Sequence, residues 1–281
     1  MFITIKANSQ GKIENFVKKL KDYEELYSQS PYVSMLLSFK GNKITIYNNL
    51  TITVEGRELD SILRDVLTET IMDEVLYIGS DEVGIGEAIG PIIVCGLTFK
   101  NLAQKEYYFL SGVIDSKKMK YHQIMSLGKR LENDTIYKCI TVSPESFNNQ
   151  YSNGINVKFL NAVLHNKIHH EIGNKIDRKS VLDQFVNEKK YYEYLATTNE
   201  TIYQKKIIFK TKGESEYLEI AGAAILAKYK FNKWVEKILQ EEHASLAKYI
   251  KNSVNYTLIS KDVKNKTIAI NPNKILKKWE R

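Results

Sequence analysis

The chain has 281 residues, of which 26% are charged and 43% hydrophobic. That balance excludes a disordered or membrane-embedded protein, and the length allows two modest domains or one large one. The net charge of +8 is uneven: residues 1–70 carry nine basic and nine acidic side chains, 71–204 fifteen and sixteen, and 205–281 seventeen and eight. A positive field gathered in the last quarter suits a polyanionic partner, and equally a solvated Lys-rich tail. The longest apolar stretch, around 89–99, is broken by Gly90, Pro91 and Gly96 and is too short for a bilayer, so no membrane association is expected. The start, MFITIKANSQ, lacks the basic-then-apolar pattern of a signal peptide. Cys95 and Cys139 are too few for a disulfide framework and too far apart for a zinc motif. A monomer in a reducing cytoplasm is the expectation.

In chain order, FITIK (2–6) reads as a short strand. NFVKKLKDYEELY (15–27) has helical spacing, with Phe16, Val17, Leu20, Tyr23 and Leu26 near one face. SPYVSMLLSFKGNKITIYNNLTITVEG (30–56) gives three strand-like runs split by Gly41-Asn42 and Asn48-Asn49, which is hairpin chemistry. RELDSILRDVL (57–67) reads as a closing helix. Together these predict a small α+β domain over 1–70, with a linker near Thr68–Glu74. From Val75 onward, strand-like runs at 75–79, 91–99, 136–142, 180–186 and 206–210 alternate with helical ones at 117–132, 156–172, 188–195 and 216–241. That alternation predicts an α/β domain with a mixed sheet over 71–281.

The stretch YIGSDEVGIGEAIGPIIVCG (77–96) places Asp81 and Glu82 between two segments that read as buried. A buried carboxylate needs a metal, a basic partner or a proton. Gly84 and Gly86 fail the dinucleotide spacing, because Ile89 stands where a glycine is needed, and no Gly-Lys-Ser/Thr loop exists. The glycines therefore point to a bend or to close backbone approach, against a plain hairpin turn as the simpler reading. Paired carboxylates at a strand end suit a hard divalent cation held by oxygens alone. Adjacent strand residues face opposite sides, so both reach one site only if the strand ends or bulges there. An isolated Asp-Glu pair is more simply a cap or a turn salt bridge.

Asp183 follows a β-rich run, and Glu214 precedes a small-residue helix; Asp177, Glu188, Glu216 and Glu219 are rivals as further ligands. His165 and His169 have metal spacing, but Asn166 replaces the glutamate of the zinc-protease motif, and plain hydrogen-bonded or exposed histidines are the stronger reading. DSKKMK (115–120) joins an acid, Ser116, Lys117 and Lys118 where a loop enters a helix. That suits phosphate binding and a simple capped helix start about equally.

These segments in this order resemble ribonuclease HIII, a type 2 ribonuclease H. GSDEVGIGEAIGP is similar to the family's first active-site strand and glycine turn, and DSKKM to its phosphate-contacting loop. NVKFLNAVLHNKI resembles its long central helix, DQF the strand of its third acid, and TKGESEYLEIAGAAILAKY the fourth acid and following helix. The segment 30–56 resembles its TBP-like substrate-binding domain. The resemblance covers residues 1 to roughly 240. It departs at Asn161, where a lysine is usual, at Asn187, four positions beyond Asp183, and after 240, where the closing motifs are absent.

The resemblance implies a ribonuclease H-like mixed-sheet catalytic domain behind a small TBP-like domain. It implies endonucleolytic cleavage of the RNA strand in RNA/DNA hybrids, leaving 5′-phosphate and 3′-hydroxyl ends. The acids carry over to Asp81, Glu82, Asp183 and Glu214, with Asp81 bridging two Mg²⁺ or Mn²⁺ ions. Gly84, Ile85 and Gly86 would approach 2′-hydroxyls, and Ser116, Lys117 and Lys118 the backbone phosphates. Three alternatives remain: a ribonuclease HII-like enzyme cutting at single ribonucleotides, a non-catalytic hybrid-binding protein, and a zinc hydrolase built on His165 and His169.

Overall fold

The computed structural model describes residues 2–85, 90–113, 119–143, 146–147 and 155–242, with side chains described as far as 237. Two five-stranded sheets organise it. The first is antiparallel and contains β1 (Phe2–Lys6), β2 (Glu24–Leu26), β3 (Val33–Phe39), β4 (Asn42–Tyr47) and β5 (Thr51–Glu55), in the order β1-β5-β4-β3-β2. Alternation explains its two faces. Ile3, Ile5, Leu37, Ile44, Ile46, Ile52 and Val54 are buried beneath α1 (Gln10–Lys19) and α2 (Ser61–Ile71), while their neighbours point away. The β3–β4 connection puts Lys40 and Gly41 at φ 44° and 77°, the left-handed pair that a tight hairpin needs.

Two expectations here are corrected. The helix predicted over 15–27 is Gln10–Lys19, begun by Ser9 as cap and ended at Leu20. Asp22 then takes φ 60°, so Tyr23 lies beyond the helix and Leu26 joins β2 opposite Leu36. The closing helix starts at Asp60, whose carboxylate accepts from the amides of Ile62 and Leu63, and runs to Ile71. The connection to the second sheet is therefore residues 72–76.

The second sheet contains β6 (Tyr77–Val83), β7 (Ile92–Thr98), β8 (Ile136–Val142), β9 (Lys179–Asp183) and β10 (Ile207–Lys210), in the order β10-β9-β6-β7-β8. β6 pairs parallel with β9, and β9 with β10; the other pairs are antiparallel. The sheet is thus mixed, as the alternating pattern predicts. The helices are α3 (Leu102–Leu110), α4 (Tyr121–Asp134), α5 (Val157–Gly173), α6 (Glu188–Ala196) and α7 (Leu218–Glu242). α7 lies on one face against β6 and β7, with α4 packed on it, and α5 lies on the other face against β6, β7 and β8.

Small residues set these distances. A Cβ at Gly79 would come within 2.4 Å of the Glu219 carbonyl carbon and 2.5 Å of the Ile220 amide nitrogen, so α7 approaches β6 this closely only because residue 79 has no side chain. Gly96 does the same for α5, where a Cβ would stand 2.3 Å from Ile168 Cγ2. Helix α3 is absent from the sequence prediction. Asn101 caps it by accepting from the Gln104 amide at 2.8 Å, and Lys105, Tyr108 and Phe109 are buried. The antiparallel β7–β8 register also sets Cys95 opposite Cys139, with Cα atoms 4.1 Å apart and a disulfide between them. Their 44-residue separation conceals this in the sequence. Among the described residues no helix is long and apolar enough to cross a membrane.

Candidate active site

β6 is the middle strand, and its alternation divides the predicted residues between two faces. Tyr77, Gly79 and Asp81 point towards α7: the Tyr77 amide donates to Glu219, and Gly79 abuts the α7 backbone. Ile78, Ser80 and Glu82 point towards α5: Ile78 packs with Ile168, and Ser80 and Glu82 reach His165. β6 also outlasts its parallel neighbour. Its pairing with β9 stops at Ser80–Leu182, while pairing with β7 continues to Val83–Ile93. Asp81 and Glu82 therefore sit where one edge of the strand has lost its partner. The expected strand end is realised on that side alone.

Asp183 closes β9 and shares parity with Val181, which packs with Tyr77 and Ile220; it therefore faces α7 like Asp81. Its Oδ1 accepts from the Gly213 amide at 2.7 Å. Gly213 opens a single 3₁₀ turn, Gly213–Ser215, entered through Lys212 at φ 57°. Glu214 rides on this turn just before α7. The rival acids are engaged elsewhere. Glu216 pairs with Lys210 at 2.8 Å and Asp177 with Lys205 at 2.6 Å, and Glu188 is exposed in the first turn of α6. Glu219 is fully buried against Lys105 at 3.1 Å.

Asp81 is 8% exposed. Burial pushes its carboxyl well above the usual carboxylate range, and the negative charges of Glu82, Asp183 and Glu214 push it further. The Glu82 amide, donating to Asp81 Oδ1 at 2.7 Å, acts in the opposite direction. The four predicted acids thus share one electrostatic environment centred on Asp81. Among the described residues, no three His, Cys, Asp or Glu side chains already stand in ligating geometry.

Gly84 has φ 103°, and a Cβ there would lie 2.0 Å from the Pro91 carbonyl oxygen, so close backbone approach does require glycine. Ile85 packs against the core between β6 and α5. Gly86, Ser116, Lys117 and Lys118 lie outside the described residues.

His165 and His169 are fully buried. Ser80 Oγ lies 2.8 Å from His165 Nδ1 and 2.8 Å from His169 Nε2, and His165 Nε2 lies 3.1 Å from Glu82 Oε2. The zinc-like spacing on α5 is thus spent on a hydroxyl and a carboxylate. Burial pushes His169 down to about 3, so this imidazole is neutral. Sequence reasoning missed Ser80; the signal was its place two residues before Glu82, on the same face of the strand.

Comparison with known proteins agrees with this architecture. The Ribonuclease HII family model matches residues 78–250. Ribonuclease HIII of Staphylococcus saprophyticus is 29% identical over 91% of this chain and 91% of its own length. Ribonuclease HIII of Phytoplasma mali is 29% identical over 79% of this chain and 76% of its own. The crystal structure of Bst-RNase HIII in complex with Mn²⁺ superposes with a TM-score of 0.64 at 17% identity, covering 96% of this chain and 94% of that one. That of Aquifex aeolicus RNase H3 gives 0.52 at 19% identity, covering 96% and 99%. The family model spans well over half of the sequence, and the relatives extend the likeness along most of the rest: the chain belongs to the ribonuclease HII family of ribonuclease H endonucleases.

Proposed function

We propose that the chain cuts the RNA strand of RNA/DNA hybrids internally, by hydrolysis assisted by divalent cations, and that Asp81, Glu82, Asp183 and Glu214 carry the reaction. The state of Asp81 is the observation that carries this reading. Its carboxyl is nearly buried, and its largest side-chain influences are all acidic. Such a group is costly unless it is protonated or matched by a cation. An all-oxygen donor set fits Mg²⁺ or Mn²⁺. Two such ions, when bound, supply water activation and stabilise charge on the leaving 3′ oxygen. The Mn²⁺ held by Bst-RNase HIII supports a divalent cation here.

The chain's own residues prepare the site. The Gly213 amide fixes Asp183 Oδ1 and so ties the end of β9 to the turn that carries Glu214. In this reading Gly84, Ile85 and Gly86 approach the 2′-hydroxyls separating RNA from DNA. Ser116, Lys117 and Lys118 hold backbone phosphates in this reading. Residues 1–70 form a TBP-like substrate-binding domain, which favours long hybrid over single ribonucleotides in DNA. One chain supplies all four acids, which supports action as a monomer; the Cys95–Cys139 disulfide does not fit the reducing cytoplasm expected from the cysteine count.

The test compares a uniformly labelled RNA/DNA hybrid with a duplex holding one ribonucleotide, in Mg²⁺ and in Mn²⁺. Internal cuts in the RNA strand, with 5′-phosphate ends and a preference for the hybrid, are expected. A folded protein that cuts neither substrate with either cation would overturn the reading.

A further inference from the structure

Glu82 faces away from the other three acids, and something must hold it there. Four groups form a continuous chain between β6 and α5: His169, Ser80, His165 and Glu82. His169, Ser80 and His165 are each 0% exposed, so no solvent completes their bonding. Ser80 has one proton to give, and it stands between two imidazole nitrogens.

Only one direction of donation satisfies the chain. With His165 carrying its proton on Nε2, it donates to the Glu82 carboxylate, and its Nδ1 accepts the Ser80 O–H. Ser80 Oγ then accepts from His169 Nε2–H. His169 Nδ1, which has no hydrogen-bond partner among the described residues, is left as a bare acceptor. The opposite direction strands an N–H at that buried position and sets the His165 Nε2 lone pair against the carboxylate. An unpaired buried donor and a repelled carboxylate both cost free energy.

We propose that Ser80 and His165 are positioning residues: the one-way chain His169–Ser80–His165 fixes the His165 tautomer, which sets where the Glu82 carboxylate lies beside Asp81. This rests on Glu82 being one of the working carboxylates. Support of this kind, in which a buried histidine orients a carboxylate, typically changes activity or metal affinity by about 10- to 100-fold when removed.

Two measurements test it. In cation-free protein labelled with ¹⁵N, His165 is expected as the Nε2–H tautomer. Ser80→Ala, which never touches Glu82, is expected to release His165 into a mixture of tautomers. In hybrid cleavage, Ser80→Ala and His165→Phe are expected to lower kcat about 10- to 100-fold with KM unchanged. Ser180→Ala serves as the control, because it removes an equally buried hydroxyl on β9 that bonds Tyr203 and lies outside the chain. Its kcat should stay at the wild-type value.

Glu82→Gln separates the two ideas. Full turnover by Glu82→Gln would overturn the carboxylate assignment and this inference with it. Loss of turnover in Glu82→Gln, with wild-type kcat in both Ser80→Ala and His165→Phe, would overturn the inference alone. An Nδ1–H tautomer in the wild-type protein would do the same, whether or not any variant folds.

Discussion

Asp81→Asn keeps the shape of a buried side chain and removes its charge. The amide oxygen can still accept from the Glu82 N–H, so folding and hybrid binding should be nearly intact while cleavage is abolished. In cation-free protein the variant should be the more stable one, because a carboxyl repelled by three acids has gone. Denaturant unfolding and cleavage assays on the same preparations check both halves. Glu214→Gln should cut turnover by roughly 10²-fold, the scale of one group removed from a preorganised site. Glu188→Gln, on the exposed start of α6, should change it little; the reverse ranking at saturating hybrid would move the fourth acid. His169 gives a pH prediction. Its folded value of about 3 lies below the ordinary 6.5, so below pH 6.5 the unfolded chain takes up a proton that the folded one refuses. Stability from this group is fully present above pH 6.5 and falls as pH drops towards 3, by about 1.4 kcal/mol per unit. The raised Asp81 and Glu219 carboxyls act in the opposite sense, so the difference between wild type and His169→Gln in cation-free unfolding between pH 6 and 4 should carry that slope. At this scale element ends drew attention to several acids, and only the family resemblance singled out Asp81, Glu82, Asp183 and Glu214 from Asp177, Glu188, Glu216 and Glu219. The hydrogen-bonded serine was not, because strand parity shows which face a side chain takes and not what waits there.

Elements were legible where period and punctuation agreed. The run 136–142 matches β8, and the helices expected at 156–172 and 188–195 lie within a residue of α5 and α6 at each end. Failure came where the pattern was ambiguous. Leu20, Tyr23 and Leu26 continue the helical period of Phe16 and Val17, yet Asp22 takes a left-handed turn and the chain reverses into β2. α3 was missed because its aromatic residues, Tyr107, Tyr108 and Phe109, are consecutive and mark no helical period, although Asn101 was a readable start signal. The packing of α7 on β6 can be tested directly. Gly79→Ala forces a methyl group against backbone and should cost about 1–3 kcal/mol, as overpacking does. Gly11→Ala meets nothing within 4 Å in α1 and should stabilise by up to about 1 kcal/mol. The two denaturation midpoints should move in opposite directions.

Across the whole molecule, the two sheets meet at a cleft lined by Lys6, Asn8 and Lys12 on one side and Glu214 and Tyr217 on the other. Lys12 Nζ donates to the Ile71 carbonyl at 2.8 Å and so fastens the end of α2. Lys6 and Lys43 are exposed on the first sheet, out of step with the buried positions of β1 and β4, and so on the face away from its helices. If that face binds hybrid, Lys6→Ala with Lys43→Ala should raise KM, leave kcat unchanged and lower the salt slope by about one for each phosphate no longer held. An unchanged salt slope would remove the sheet from the binding surface. The overhang of β6 beyond β9 has a consequence for substrate topology. Asp81 lies on a step in the sheet, bounded by β7 on one side and by Asp183, the last residue of β9, on the other. A step, unlike a blind tunnel, demands no free end to thread. A covalently closed RNA circle annealed to DNA should therefore be opened at the same rate per site as its linear counterpart.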